Sequence, residues 1–353
     1  MILETIFNNI HNKTKLNIIK HNKTLLYKLK INKEDFTIYE LLKEFNEKFQ
    51  LNIKDIDINE LDLTNIEIGN EGLIFFNKIG FNKLKKLYLS ENEISDIKIL
   101  ENINFEKLEI LDLNYNKISD LNALKNINLN KLKILNIGYN EISDIKILEN
   151  SNFEKLEILD LNYNKISDIK VLEKLKFEKL ELLNISFNKI SDIKVLENAN
   201  FNELKLLDIS YNKISDIKVL KNVKFEKLLI LALCGNRISD IHTLEYVNFK
   251  ELIELSLSSN EISDIKVLEN VKFEKLEILD LHDNKIMDIK VLEKVNFKKL
   301  KELDLSNNKI FDINILEHTR FPKLEILNLS GNKIDKTSSI LLNMLTNIEN
   351  IYI

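Results

Sequence analysis

An asparagine recurs at a strict spacing of 24 residues over most of the chain. The positions are Asn92, Asn116, Asn140, Asn164, Asn188, Asn212, Asn236, Asn260, Asn284, Asn308 and Asn332. All eleven copies share one register. A unit of this length cannot bury its apolar face alone, so it needs neighbouring units stacked against it. The sequence therefore predicts a solenoid in which each repeat forms one coil.

Each asparagine follows a short segment of alternating side chains. In the copy at 108–118, Leu111 and Leu113 are separated by a single polar residue. This alternation predicts a strand that turns its leucines inward, and successive strands then stack into a parallel sheet at about 4.8 Å per coil. The amide of Asn116 can donate to and accept from backbone groups that the turn leaves unpaired. We expect the stacked amides to form an internal ladder.

The outer half of each coil carries an aspartate and a phenylalanine at fixed positions. The aspartates precede Ile-x-x-Leu, which predicts that they cap short helices, and they lack the converging oxygen ligands of a calcium site. They are Asp96, Asp120, Asp144, Asp168, Asp192, Asp216, Asp240, Asp264, Asp288 and Asp312. The phenylalanines are predicted to form a core spine. They are Phe81, Phe105, Phe153, Phe177, Phe201, Phe225, Phe249, Phe273, Phe297 and Phe321, with Leu129 in the remaining copy.

These segments match the leucine-rich-repeat pattern L-x-x-L-x-L-x-x-N-x-L. The run Leu-Asp-Leu-x-x-Asn-Lys-Ile-Ser-Asp-Ile at 159–169 closely resembles repeats of bacterial internalins and of the leucine-rich nuclear regulatory subunit of protein phosphatase 1. The resemblance covers 84–334, although those families use repeats of about 22 residues. It implies an α/β solenoid with a curved parallel sheet on the concave face and short helices or turns on the convex face. It also implies protein binding on the concave sheet.

The two ends depart from the regular repeat. Residues 1–50 show apolar positions at helical spacing and are predicted to be a helical cap, while 51–83 are predicted to form an irregular first coil. The apolar skeleton that begins Ile2-Leu3-x-x-Ile6-Phe7 also resembles an F-box, without its usual early proline and later tryptophan. Residues 335–353 are predicted to form a cap helix and a partial twelfth strand, whose open edge favours self-association.

Composition and charge narrow the classes of partner. Lys and Arg total 51 against 56 Asp and Glu, and this net charge of −5 is spread along the chain, which argues against nucleic acid. Cys234 is the single cysteine, so no intrachain disulfide can form. The N-terminal residues lack the basic start and apolar run of a signal peptide, and no apolar run approaches the roughly 20 residues that span a bilayer. We therefore expect a cytoplasmic protein that binds no membrane, unlike the exported internalins.

The outward strand positions form three columns that are candidates for the binding face. Exposed aliphatic and aromatic columns are typical of interfaces, and alternation of Asp with Asn keeps neighbouring carboxylates apart. Asp280 and Asp304 break that alternation. The predicted protein-binding residues are the aliphatic Ile110, Ile134, Ile158, Leu182, Leu206 and Ile230, the polar Asp112, Asn136, Asp160, Asn184 and Asp208, and the aromatic Tyr115, Tyr139, Tyr163, Phe187 and Tyr211.

The pattern does not favour an enzyme. Catalysis needs unlike groups that converge on one cavity, whereas the repeat spreads identical groups along a line. No metal-ligand spacing joins the five histidines, so no catalytic residue, metal or cofactor is predicted. The sequence favours a protein-binding scaffold, with an F-box adaptor of a ubiquitin ligase and a phosphatase regulatory subunit as alternatives. Because 105–120 and 153–168 are identical, copying alone could have multiplied the columns, which leaves a structural repeat protein as a further hypothesis.

Overall fold

The computed structural model describes residues 33–319, 321–335 and 348–353, with side chains described from residue 37. The described strands form one sheet in which each strand pairs in parallel with the next along the chain. They are β1 (Glu60–Asp62), β2 (Lys86–Tyr88), β3 (Ile110–Asp112), β4 (Ile134–Asn136), β5 (Ile158–Asp160), β6 (Leu182–Asn184), β7 (Leu206–Asp208), β8 (Ile230–Ala232), β9 (Glu254–Ser256), β10 (Ile278–Asp280), β11 (Glu302–Asp304), β12 (Ile326–Asn328) and β13 (Asn350–Tyr352). The predicted solenoid with an open, curved parallel sheet is confirmed.

The sheet keeps every coil in the same register. Leu111 pairs with Leu135, and each central leucine from β2 to β11 pairs with the equivalent leucine of the next coil. These leucines are buried, as are the leucine or isoleucine two residues later and the phenylalanine spine, except that Phe321 is partly buried. The inward side of every strand therefore belongs to one continuous core, and the outward side of the strands is left for other roles.

The outer side of the coils carries short 3-10 helices. They are η1 (Lys98–Asn102), η2 (Asn122–Lys125), η3 (Lys146–Asn150), η4 (Lys170–Lys174), η5 (Lys194–Glu197), η6 (Lys218–Lys221), η7 (His242–Tyr246), η8 (Lys266–Glu269), η9 (Lys290–Glu293) and η10 (Asn314–Glu317). Four or five residues are too few for a stable α-helix, so the tighter 3-10 turn forms instead.

The aspartate row begins these turns. Asp96 Oδ1 accepts a hydrogen bond of 2.8 Å from the backbone N–H of Lys98, and the other nine aspartates accept the same bond at 2.8–3.0 Å. The expected capping is present, with one correction of position. The aspartate lies two residues before the first helical residue and accepts a hydrogen bond from the N–H of that residue, which is the geometry of an Asx-turn.

The first coil differs from the others because it carries an α-helix. Helix α2 (Gly69–Ile79) buries Leu73, Phe76 and Ile79, and it ends where Gly80 adopts a left-handed conformation with φ 74°. The N–H of Gly80 then bonds to the carbonyl of Phe76, the usual closure of a helix C-terminus. Helical spacing and this glycine were readable signals, so the label of irregular coil for 51–83 understated the order of this segment.

Helix α1 (Lys33–Lys48) lies against α2 at the start of the solenoid. Phe45 is fully buried, and its ring centroid lies 5.1 Å from that of Phe49 and 6.0 Å from that of Phe75. Leu42 is buried as well. These contacts cover apolar side chains that the first coil would otherwise expose, which supports a capping role for this helix. The F-box-like skeleton before it lies outside the described residues.

The asparagine ladder forms as predicted. Asn164 Nδ2 donates to the carbonyls of Leu161 and Asn162 in its own coil at 3.1 Å and to that of Ile137 in the preceding coil at 3.0 Å. Its Oδ1 accepts from the N–H of Ile142 at 2.9 Å. One side chain thus satisfies backbone groups of two coils, and the equivalent bonds recur along the sheet.

At the far end, β13 continues the same register, since Ile351 pairs with Leu327. The helix predicted around 340–345 lies outside the described residues. Of the described helices, none is both long and apolar enough to cross a bilayer.

We expect Asn164→Ala to lower the free energy of unfolding by about 2–4 kcal/mol, because the substitution leaves buried carbonyl and N–H groups without partners. Chemical denaturation followed by circular dichroism measures the change. The exposed Lys155→Ala is the control and should alter stability by less than about 0.5 kcal/mol. Equal effects of the two substitutions would contradict a stabilising role for the ladder.

Candidate protein-binding face

The aliphatic column is continuous across six strands. Ile110 pairs with Ile134, and the row continues through 158, 182 and 206 to Ile230. Each side chain is only partly buried, because it projects from the face of the sheet opposite the core. At the next strand Glu254 replaces the aliphatic residue. The structure therefore brings the predicted aliphatic residues together in one row.

The aromatic column is a stack of five parallel rings. The centroids of Tyr115, Tyr139, Tyr163, Phe187 and Tyr211 are separated in turn by 3.9, 4.1, 3.9 and 4.2 Å, with interplanar angles of 12–13°. Equivalent positions in neighbouring coils lie one strand spacing apart in the sheet, so the sheet brings each ring into contact with the next. Tyr115, Tyr163 and Tyr211 are 50%, 38% and 46% exposed. The five rings form a continuous and accessible aromatic surface.

The backbone under the aromatic column is left-handed, which sequence reasoning missed. The five aromatic residues have φ between 48° and 53°, and the equivalent positions in the other coils are left-handed as well. Such a conformation costs a residue other than glycine about 1–2 kcal/mol, whereas each stacked aromatic pair contributes about 0.5–1.5 kcal/mol. A readable signal existed, since Gly235 and Gly331 occupy this position in two coils.

Gly235 ends the aromatic stack. The ring of Tyr211 lies so close over this residue that a Cβ there would be 2.4 Å from Tyr211 Cδ1. A larger side chain at 235 would therefore displace the last ring. The boundary of the aromatic surface is set by this close approach, one coil before Glu254 interrupts the aliphatic column.

A hydrogen bond within the stack raises the pKa of one hydroxyl. A hydrogen bond with Tyr115, together with burial between its two neighbours, raises the pKa of Tyr139 above its usual range. The hydroxyl is neutral in the physiological range, as an ordinary tyrosine is, and the raised pKa extends that range. It can donate to and accept from a partner without introducing charge.

The polar column lies between the aliphatic and aromatic columns, and aspartate alternates with asparagine along it as the sequence indicated. Burial raises the pKa of Asp112 and of Asp160, and hydrogen bonds with Asn136 and Asn184 oppose that shift. For Asp160 the more distant carboxylates of Asp112 and Asp208 contribute a further rise. Each asparagine thus separates two carboxylates and hydrogen bonds to one of them.

The C-terminal part of the concave face has a different character. Asp280 and Asp304 are directly paired across neighbouring strands. His282, which sequence spacing did not connect with other ligand types, lies beside both of them. Burial, with Asp280 and Glu302 nearby, raises the pKa of Glu254. Coil stacking therefore brings together ionisable groups that belong to different repeats of the sequence.

We expect Asp160→Asn to raise the free energy of unfolding at neutral pH. A carboxyl group whose pKa is raised by folding stabilises the folded state only while it is protonated, so its ionised form is unfavourable at neutral pH. The gain should shrink in acid, where the wild-type carboxyl is protonated in both states. Urea unfolding of both proteins at neutral pH and in acid measures the difference in the free energy of unfolding. The reciprocal Asn184→Asp should destabilise the protein at neutral pH, and a pH-independent effect of Asp160→Asn would contradict the assignment.

Comparison with known protein families agrees with this geometry. The sequence matches a family model of paired leucine-rich repeats over 82–126, 130–176, 250–294 and 274–318, and a single leucine-rich-repeat model over 323–347. Together these ranges cover just over half of the chain. No curated protein sequence gives a significant match.

Solved structures show the same coil. An internalin, inlF, from Listeria monocytogenes is 26% identical with a TM-score of 0.65, over 88% of this chain and 94% of the internalin chain. A leucine-rich-repeat protein of Leptospira interrogans is 25% identical with a TM-score of 0.61, over 78% of this chain and 74% of its own. A chain of the LRIM1/APL1C complex shares the fold at 22% identity and a TM-score of 0.59, over 80% of this chain and 49% of that one. Because sequence models and coil geometry agree, this chain belongs to the leucine-rich-repeat family.

Proposed function

We propose that the protein is a non-enzymatic scaffold that binds a protein partner on the concave columns of the coils at 110–230. The observation that carries this proposal is the continuous aromatic stack, which remains accessible beside a continuous aliphatic row. Large exposed apolar surfaces on a folded protein are typical of interaction sites. The family is itself one of interaction scaffolds, which supports the same conclusion.

The face suits a protein surface for physical reasons. The stacked rings are already ordered, so binding them loses little side-chain entropy while it buries a large area. The aspartates and asparagines between the apolar columns accept and donate hydrogen bonds, which fixes the orientation of a partner. Nucleic acid suits this face less well, since the three columns contain carboxylates and no lysine or arginine.

The other functional hypotheses stay predictions. The F-box adaptor depends on an N-terminal segment outside the described residues, and the phosphatase regulatory subunit depends on resemblance of the repeats. Self-association would use the edge of β13, where Asn350–Tyr352 pair with β12 on one side. A cytoplasmic location is likewise a prediction from sequence.

The test compares partner capture by the intact protein and by a variant in which Tyr139, Tyr163 and Phe187 are all replaced by alanine. The variant removes the middle of the stack, so the specific partners should be lost from an affinity pull-down. Circular dichroism and thermal unfolding must first show that the variant is folded, because the rings also stabilise one another.

A matched control removes three apolar side chains outside the columns. Tyr246, Met287 and Phe311 are 65%, 52% and 61% exposed, and their triple alanine variant should keep the partners. If the concave variant retains the same partners as intact protein, the concave site is wrong and residues 1–50 become the next segment to test. Loss of the partners from both variants would also contradict a specific concave site, because it would indicate nonspecific apolar binding.

A further inference from the structure

Three potential metal ligands converge on the concave face outside the aromatic and aliphatic columns. Asp280, His282 and Asp304 each place a ligand atom within 4.8 Å of the other two. Asp280 and Asp304 project from the paired strands β10 and β11, and His282 follows two residues after Asp280. All three side chains are partly exposed, so the cluster is accessible from the concave side.

The cluster departs from the rule that the rest of the polar column obeys. Asp160 lies beside Asn184, and Asp208 lies beside Ala232. Among the described strands, only β10 and β11 place two carboxylates face to face within this column, where they repel. That is also where a histidine replaces the small residue found in the neighbouring coils. A cation between the carboxylates and the imidazole would relieve the repulsion.

Neighbouring side chains orient both carboxylates. Ser256 Oγ donates to Asp280 Oδ2 at 2.9 Å, and Asn328 Nδ2 donates to Asp304 Oδ2 at 2.9 Å. His282 Nδ1 lies 2.8 Å from Asp280 Oδ1. Asp280 Oδ1 also accepts from the N–H of His282, and Asp304 Oδ1 accepts from the N–H and the Oγ of Ser306. A carboxylate offers about four acceptor positions, so each of the two keeps about one position for a metal. Outer hydrogen bonds of this kind are what hold ligands in position in metal sites.

We propose that Asp280, His282 and Asp304 bind a divalent transition-metal ion of the zinc class. Imidazole with carboxylates suits Zn²⁺ or Co²⁺, whereas Ca²⁺ and Mg²⁺ prefer oxygen ligands in larger number. Three protein ligands leave a coordination position open, and here it faces the concave groove. Water, or a side chain of a bound partner, completes the coordination. The site stands apart from the coils at 110–230 and does not depend on the function proposed for them.

The test is a titration of the full chain, free of any affinity tag, with Co²⁺, followed by its visible absorption and by displacement with Zn²⁺. We expect saturation at one ion per chain. His282→Ser and Asp304→Asn should each weaken binding by about 100-fold or more, since even changes to the outer hydrogen bonds of metal ligands cost about 10–100-fold. Both variants use residues that the repeat already accommodates, since Ser306 occupies the position of His282 one coil later and Asn328 that of Asp304. Both should therefore fold.

Two control variants keep the cluster intact. His242→Ser removes an exposed histidine that lies 2.9 Å from Asp240, and Asp160→Asn removes a carboxylate of the same column. Both should bind Co²⁺ as the wild type does. Zn²⁺ should also raise the melting temperature of the wild type and leave that of His282→Ser unchanged, since only a ligand of the folded state stabilises it.

Two results would overturn the site. The first is absence of saturable Co²⁺ binding to the full chain. The second is binding that His282→Ser and Asp304→Asn leave unchanged, which would place the metal elsewhere on the chain.

Discussion

The asparagine ladder is the interaction on which the rest of the structure depends. Where the chain leaves each strand, backbone groups face the interior without partners, and a buried unpaired group costs about 1–3 kcal/mol. Asn164 and its equivalents bond to their own coil and to the preceding one. Every coil is thereby locked to its neighbour at a constant offset of one repeat. These hydrogen bonds fix the register of neighbouring coils. That register aligns the leucine core, the phenylalanine spine and the outward columns.

Because all coils share one register, equivalent outward residues form continuous columns on the concave face. Five aromatic side chains that are remote in sequence become one stack because equivalent positions lie one strand apart. Their left-handed backbone is unfavourable, and ring stacking offsets part of that cost. The same geometry would bring identical charges together, and the alternation of Asp with Asn avoids this from Asp112 to Asp208. The columns of the proposed binding face are therefore aligned by the fold itself, without a partner.

The departures from the repeat divide the concave face into two regions. Gly235 ends the aromatic stack, and Glu254 interrupts the aliphatic row one coil later. Beyond them, Glu254 and Glu302 alternate with Ile278 and Ile326 in that row, and the adjacent column brings Asp280, His282 and Asp304 together. A partner that covers both regions would need an apolar part and a cationic or metal-binding part. The regular coils build the sheet, and the positions that depart from the repeat determine which chemical groups each region of the concave face presents.

The sequence by itself determined the period, the inward leucines, the ladder, the phenylalanine spine and the three columns. Each depends on a repeated local pattern, and stacking copies that pattern without change. The sequence also carried signals for α2 at 69–79 and for the left-handed backbone, in the glycines at 80, 235 and 331, although they were missed. Only the tertiary structure decided that the convex segments are 3-10 helices and that Tyr139 lies in a ring stack. The proximity of His282 to Asp304 also needed coordinates. These features depend on side-chain direction and on contacts between unlike residues of different coils, which periodicity does not encode.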